Sequence, residues 1–151
     1  MDTLNLRVTA ISILAGMTFA LVGCTGNPGG PELAPVSGTV KYKGQPLPNA
    51  MVVFHPQGEG SFSASGMTDA SGAYSLMAPP HGLGAKPGKF SITVEARGPD
   101  KPPAGQTAVV PGGPSIQGDL LIPAKYTKPD TSGLEAEVKS GKNTFDFDLK
   151  D

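Results

Sequence analysis

Glycine and proline interrupt this chain too often for it to be helical. There are 21 glycines and 16 prolines among 151 residues, roughly twice average usage. Glycine costs backbone entropy inside a helix, and proline removes a hydrogen-bond donor and clashes with the preceding turn. What remains is a loop-rich β domain or a partly disordered chain. The length allows one domain of ordinary size and little beyond it. Twelve basic residues against thirteen acidic ones give a net charge of -1, which does not suit the basic surface that nucleic acid demands. No nucleic-acid partner is expected.

The one sustained apolar run covers residues 8–22, preceded by Arg7 and closed by Gly23 and Cys24. A short polar start, an apolar stretch and small residues at its end form the pattern of a secretory signal. The run falls short of the roughly 20 residues that span a bilayer. The alternative is a transmembrane anchor, favoured by Asp2, which offsets the charge of Arg7. Cys24 is the only cysteine, and in an exported chain it would otherwise be a free thiol or an intermolecular bridge. Leu21, Val22, Gly23 and Cys24 resemble the lipobox of bacterial lipoproteins at every position. That resemblance implies a diacylglycerol on the Cys24 sulfur, cleavage before Cys24, and acylation of the new amino terminus with a chain such as palmitate. At about 0.8 kcal/mol per buried methylene, several acyl chains form an effectively permanent membrane anchor. Thr25 stands where an aspartate commonly retains lipoproteins at the inner membrane, so an outer-membrane or cell-surface location is expected, periplasm-facing or outward.

Residues 24–35 are poor in anything that could be buried and read as a flexible tether. The folded domain is expected over 36–151. Residues 36–43 alternate apolar and polar side chains with the period of a strand, and residues 50–55 form an apolar run expected to be buried on both faces. A weaker strand is placed at 61–68. Asp69 and Gly72 follow, an aspartate able to accept the N–H two residues on and a glycine able to take positive φ, which together predict a tight hairpin. Residues 74–77 then run back, and 88–95 alternate clearly. Residues 98–123 are the least regular stretch, a loop longer than a compact domain needs and expected to be disordered rather than functional. Strands at 134–139 and 144–149 are expected to pair as a hairpin across residues 140–143. Seven strands with turn signals between them make an all-β, seven-stranded antiparallel sandwich, immunoglobulin-like or transthyretin-like.

Several motifs in order resemble the carboxypeptidase regulatory-like domain, a transthyretin-like sandwich of exported bacterial proteins. They are V-S-G-T-V at 36–40, G-Q-P-L-P-N-A at 44–50 followed by V-V-F, T-D-A-S-G-A-Y at 68–74 and P-G-K-F at 87–90. I-P-A-K-Y at 122–126, T-S-G-L at 131–134 and F-D-F at 145–147 are similar to small lipoproteins built from this one domain. The resemblance implies a fold, a location and a non-catalytic structural or interaction role.

The residues themselves offer little chemistry. His55 and His81 have no metal-ligand spacing. The hydroxyisourate hydrolases that share the transthyretin-like fold end in a tyrosine-arginine-glycine-serine signature, whereas this chain ends Phe147, Asp148, Leu149, Lys150, Asp151. No serine has the flanking glycines of a nucleophile elbow. Residues 84–90 lack the glycine spacing and the Ser or Thr of a phosphate loop, and Asp69 alone is far short of a calcium shell. With no Trp, a carbohydrate platform would fall to Tyr42, Tyr74 and Tyr126, two of them on expected strands. The expectation is therefore a non-enzymatic, lipid-anchored envelope lipoprotein without cofactor or metal, held at the membrane and contacting envelope proteins. The alternative is a module that binds polysaccharide or a small ligand through the loops at 98–123 and around His81.

Overall fold

The computed structural model describes residues 31–113 and 115–151. They are nearly all-β, with two antiparallel-rich sheets packed on one core. The first is organised around one strand, β1 (Val36–Tyr42), whose alternating Val36, Gly38 and Val40 are buried. Short strands β2 (Gln45–Pro46) and β5 (Ala73–Ser75) pair antiparallel with it, while β10 (Asn143–Thr144) and β11 (Phe147–Leu149) pair parallel. Hydrogen bonds show which edge each takes. Pro35 and Ser37 carbonyls accept from Asn143 and Phe145, whereas Val36 and Val40 bond to Leu76, Gly72 and Leu47. Successive peptide groups of a strand point to opposite edges, so β1 lies between the carboxy-terminal segment and the β2 and β5 segments.

The second sheet runs in the order β7 (Gly82–Leu83), β6 (Met77–Ala78), β4 (Ala64–Met67), β3 (Met51–Pro56), β8 (Gly88–Glu95), β9 (Leu134–Val138). Between β8 and β9 the chain makes a 3-10 turn at Ala124–Thr127 and the four-residue helix α1 (Pro129–Ser132). Phe54 is fully buried at the centre of the core. Its ring lies 5.8 to 6.5 Å from those of Phe90, Phe145, Phe147 and Tyr74, contributed by both sheets.

Among the described residues, eleven strand segments form where the sequence leads one to expect seven. Each expected strand is occupied, but two are split, and β2 and β7 are additional. The run at 74–77 divides because the chain changes sheets at Leu76, whose N–H donates to Val36 while Met77 pairs with Ser65. The run at 144–149 divides at Phe145, whose carbonyl leaves the ladder to accept the Tyr74 hydroxyl at 2.9 Å. The displaced partner, the Thr39 N–H, is satisfied instead by the Asp146 carboxylate at 2.8 Å. The arrangement is also not purely antiparallel, since β1 pairs in parallel with both carboxy-terminal strands.

Three further expectations are corrected. The run at 50–55 is buried on one face only, with Val52 and Phe54 inward and Met51 exposed. Residues 134–149 form no hairpin: β9 pairs with β8 in one sheet and β11 with β1 in the other. Asn143 shapes the crossing by accepting from the Lys139 N–H and donating to the Lys139 and Gly141 carbonyls, so composition indicated a turn correctly but not its partners. The fold also begins before Val36, because Ala34 is buried and exchanges two backbone hydrogen bonds with Ala85.

Candidate functional site

Leu21, Val22, Gly23 and Cys24, with the signal and most of the tether, lie outside the described residues. The other singled-out pair, Asp69 and Gly72, forms a compact turn. The Asp69 carboxylate accepts from the Ser71 N–H at 2.8 Å, the Ser71 hydroxyl at 2.6 Å and the Ala73 N–H at 3.0 Å. The Ser71 hydroxyl first, then the Ala73 and Ser71 amides, hold its pKa below the usual 3.8. Gly72 has φ +77°, and an added Cβ would stand 2.5 Å from the Val40 carbonyl oxygen. The turn joins β4 to β5, which belong to different sheets, so it is a corner between sheets rather than a hairpin.

This geometry predicts how the turn responds to pH. Asp69→Ala should destabilise the domain at neutral pH, and Gly72→Val should do so by more, because a β-branched residue resists left-handed φ and meets backbone. A carboxylate whose pKa is lowered by folding stabilises above its unfolded pKa, and loses that effect as pH falls through the lower, folded value. The gap in unfolding free energy between the native chain and Asp69→Ala should therefore be widest near neutrality and narrow below about pH 3.8. Urea unfolding at pH 7 and pH 3 measures both; an equal gap at the two would refute the assignment.

The other candidate residues are not brought together. His55 Nε2 lies 3.0 Å from the Thr93 hydroxyl on the outer face of the second sheet, while His81 stacks on Phe62 with ring centroids 4.2 Å apart. Among the described residues, no group of three or more His, Cys, Asp or Glu side chains is placed to hold a metal, and no helix is long and apolar enough to cross a membrane. Tyr74 and Tyr126 are buried. Burial first, and then the Asp146 charge, pushes the Tyr74 pKa up, keeping it a hydrogen-bond donor to Phe145. The Tyr126 hydroxyl donates to the Lys150 carbonyl and accepts from the Lys150 N–H. Two of the three tyrosines thus tie the carboxy-terminal segment to the core and present no common platform.

The long loop holds the most distinctive surface. It is drawn together at its base by bridges between Arg97 and Leu120 and between Lys101 and Ile116. Lys101 and Ile116 exchange two backbone bonds of 2.8 Å, and Gly98 donates to Asp119 at 2.9 Å. Charges at this base pair with one another: Arg97 with Glu95, and Lys101 with Asp119. Beyond them, residues 102–117 contain no charged side chain. Val109, Val110 and Ile116 are exposed there, and Leu121 at the base. An open groove of about 430 Å³ is lined by Gly105, Gln106, Thr107, Ala108 and Val110. The sequence signalled only the length and the prolines of this arm, because its closure rests on backbone pairs that no side-chain pattern encodes.

The arm's location follows from β8. Ala34, near the start of the described residues, pairs with Ala85 just before β8, and the arm leaves at Arg97 just after it. Eight extended residues at about 3.3 Å each separate the two by about 25 Å. Ala34 therefore lies toward one end of the sandwich and the arm projects from the other.

No family model matches the chain, and no curated protein matches it. Among solved structures, the chain is similar to a 9R-lipoxygenase from Cyanothece PCC8801, with a TM-score of 0.40 and 14% identity. The match covers 80% of this chain but only 16% of that one, and a likeness at this level carries no argument about fold or activity.

Proposed function

We propose that the chain is a lipid-anchored, non-catalytic lipoprotein of the cell envelope, a transthyretin-like module of the carboxypeptidase regulatory-like kind that docks a partner protein through its arm. The observation that carries the docking role is the arm itself, an uncharged stretch with exposed Val109, Val110 and Ile116 at the end of the sandwich opposite the amino-terminal entry. An anchor at Cys24 followed by the tether would hold that end away from the bilayer. Pro102 and Pro103 restrict the arm before any partner arrives, which lowers the ordering cost of binding. Exposed apolar residues without competing charge are the composition of an interface centre rather than of its rim.

The test places a photocrosslinking side chain at Ala108 of the full chain in cells and compares the native sequence with Val109→Asp plus Val110→Asp. The expected result is a discrete protein adduct that the aspartates abolish while the melting temperature holds. Cys24→Ser should release the protein from the membrane fraction and weaken the same adduct. An adduct untouched by the aspartates, or saturable binding of envelope polysaccharide by the arm in place of a protein, would overturn the docking role. The polysaccharide result would establish the alternative reading.

A further inference from the structure

A second groove, of about 220 Å³, lies at the end of the sandwich marked by the Ala34–Ala85 bridge, remote from the arm. Its walls are mostly apolar, with Pro35, Val36, Leu76 and Leu83 among them. The fold makes it where the chain passes from one sheet to the other. β1 starts at Val36 and β5 ends at Ser75, after which Leu76 crosses to the second sheet. There β7 sets Leu83 beside Met77, and the Gly84 N–H donates to the Leu76 carbonyl. Val36 and Leu76 are buried and form the floor, while Leu83 is 70% exposed and forms a rim.

The polar side of the groove is equally definite. Ser37 and Ser75 line it and are direct partners across β1 and β5, so their hydroxyls stand on the same side. Lys142, from the turn before β10, is the one charged residue of the lining. Among the described residues it enters no ion pair.

Size and charge together select a ligand. Sites for drug-sized molecules run from about 300 to 1,000 Å³, whereas a cavity of about 150 Å³ holds benzene. A groove between those limits has room for one short alkyl chain and not for the two chains of a diacyl lipid. One ammonium and two hydroxyl donors at its side suit a carboxylate, and bonds between ionised partners are the stronger kind. We propose that this groove binds a fatty acid, its carboxylate held by Lys142 with Ser37 and Ser75, its methylenes covering Leu83 above the floor. Each methylene buried strengthens binding about fourfold. The site uses neither the arm nor the lipid anchor, so it stands or falls apart from the docking role.

The test uses the full chain in membrane vesicles with a photoreactive octanoic acid, and maps the adduct by mass spectrometry of peptides. Label is expected on the peptides that carry Val36, Leu83 and Lys142. Unlabelled octanoate should erase it, and octylamine, which has the same chain and the opposite charge, should not. Leu83→Asp and Lys142→Glu change exposed side chains. Each should keep the native melting temperature and lower the adduct about tenfold or more. Label elsewhere on the chain, equal competition by octylamine, or an adduct unchanged in both variants would each overturn the site. So would label that enters the groove only in Cys24→Ser, because an acyl group on Cys24 would then be its occupant.

Discussion

Gly38→Ala is expected to destabilise the domain by about 3 kcal/mol or more. A Cβ at this position would fall 1.7 Å from the Phe145 carbonyl oxygen and 2.6 Å from its carbon. Both are backbone atoms, so no side-chain rotation relieves the overlap. The same carbonyl accepts the Tyr74 hydroxyl, and the adjoining Thr39 amide is held by Asp146. Moving the strand aside therefore breaks three features together: the parallel register, the buried phenol's hydrogen bond and the packing of Phe145 on Phe54. Each buried polar group left unpaired costs about 1–3 kcal/mol. Gly58→Ala is the control, because no atom lies within 4 Å of its added Cβ, and it should change stability by less than about 0.5 kcal/mol. Urea unfolding of the two variants reads the difference; equal stabilities would show that the carboxy-terminal strand does not cross β1 at Gly38.

Phe54→Ala should cost about 3–5 kcal/mol, the range for truncating a fully buried aromatic. The residue has no exposed surface, and four aromatic rings from both sheets surround it. Its removal takes away apolar burial, leaves a cavity that two hydrogen-bonded sheets cannot collapse to fill, and loses the tilted ring contacts, each worth about 0.5–1.5 kcal/mol. Phe62→Ala offers the comparison: Phe62 is only partly buried and stacks at the surface on His81. It should cost far less in the same unfolding measurement. A Phe54→Ala chain as stable as Phe62→Ala would mean that the sheets do not share this core.

Both predictions depend on features of different legibility. The alternation at 36–43 and 88–95 marked β1 and β8 because one face of each is buried, and a period of two is what that requires. The Asp69–Gly72 corner could be placed because its chemistry is local, set by one carboxylate and one left-handed residue. Partner choice was not local. Composition at 140–143 signals a reversal of the chain and cannot say that β9 joins Ile92 and Phe90 while Phe147 joins Val40. Nor could alternation reveal that Leu76 carries the chain between sheets, since Tyr74, Leu76 and Ala78 remain inward throughout. The arm was legible as a long Pro- and Gly-rich segment, but its closure by Lys101 and Ile116 is a backbone event. Within 50–55, the apolar character of Met51 concealed that it faces outward.

The pairing of β1 with β11 joins residues 107 positions apart, Val40 with Phe147 and Thr39 with Asp146. A chain made from its amino terminus must keep β1 waiting, with one edge open, until residues 143–149 have emerged. Contacts of such long sequence separation slow folding, because loop-closure entropy is spent before the contacts return it. Closure of the first sheet thus waits for β10 and β11, and a chain cut before Asn143 leaves that edge of β1 without a partner.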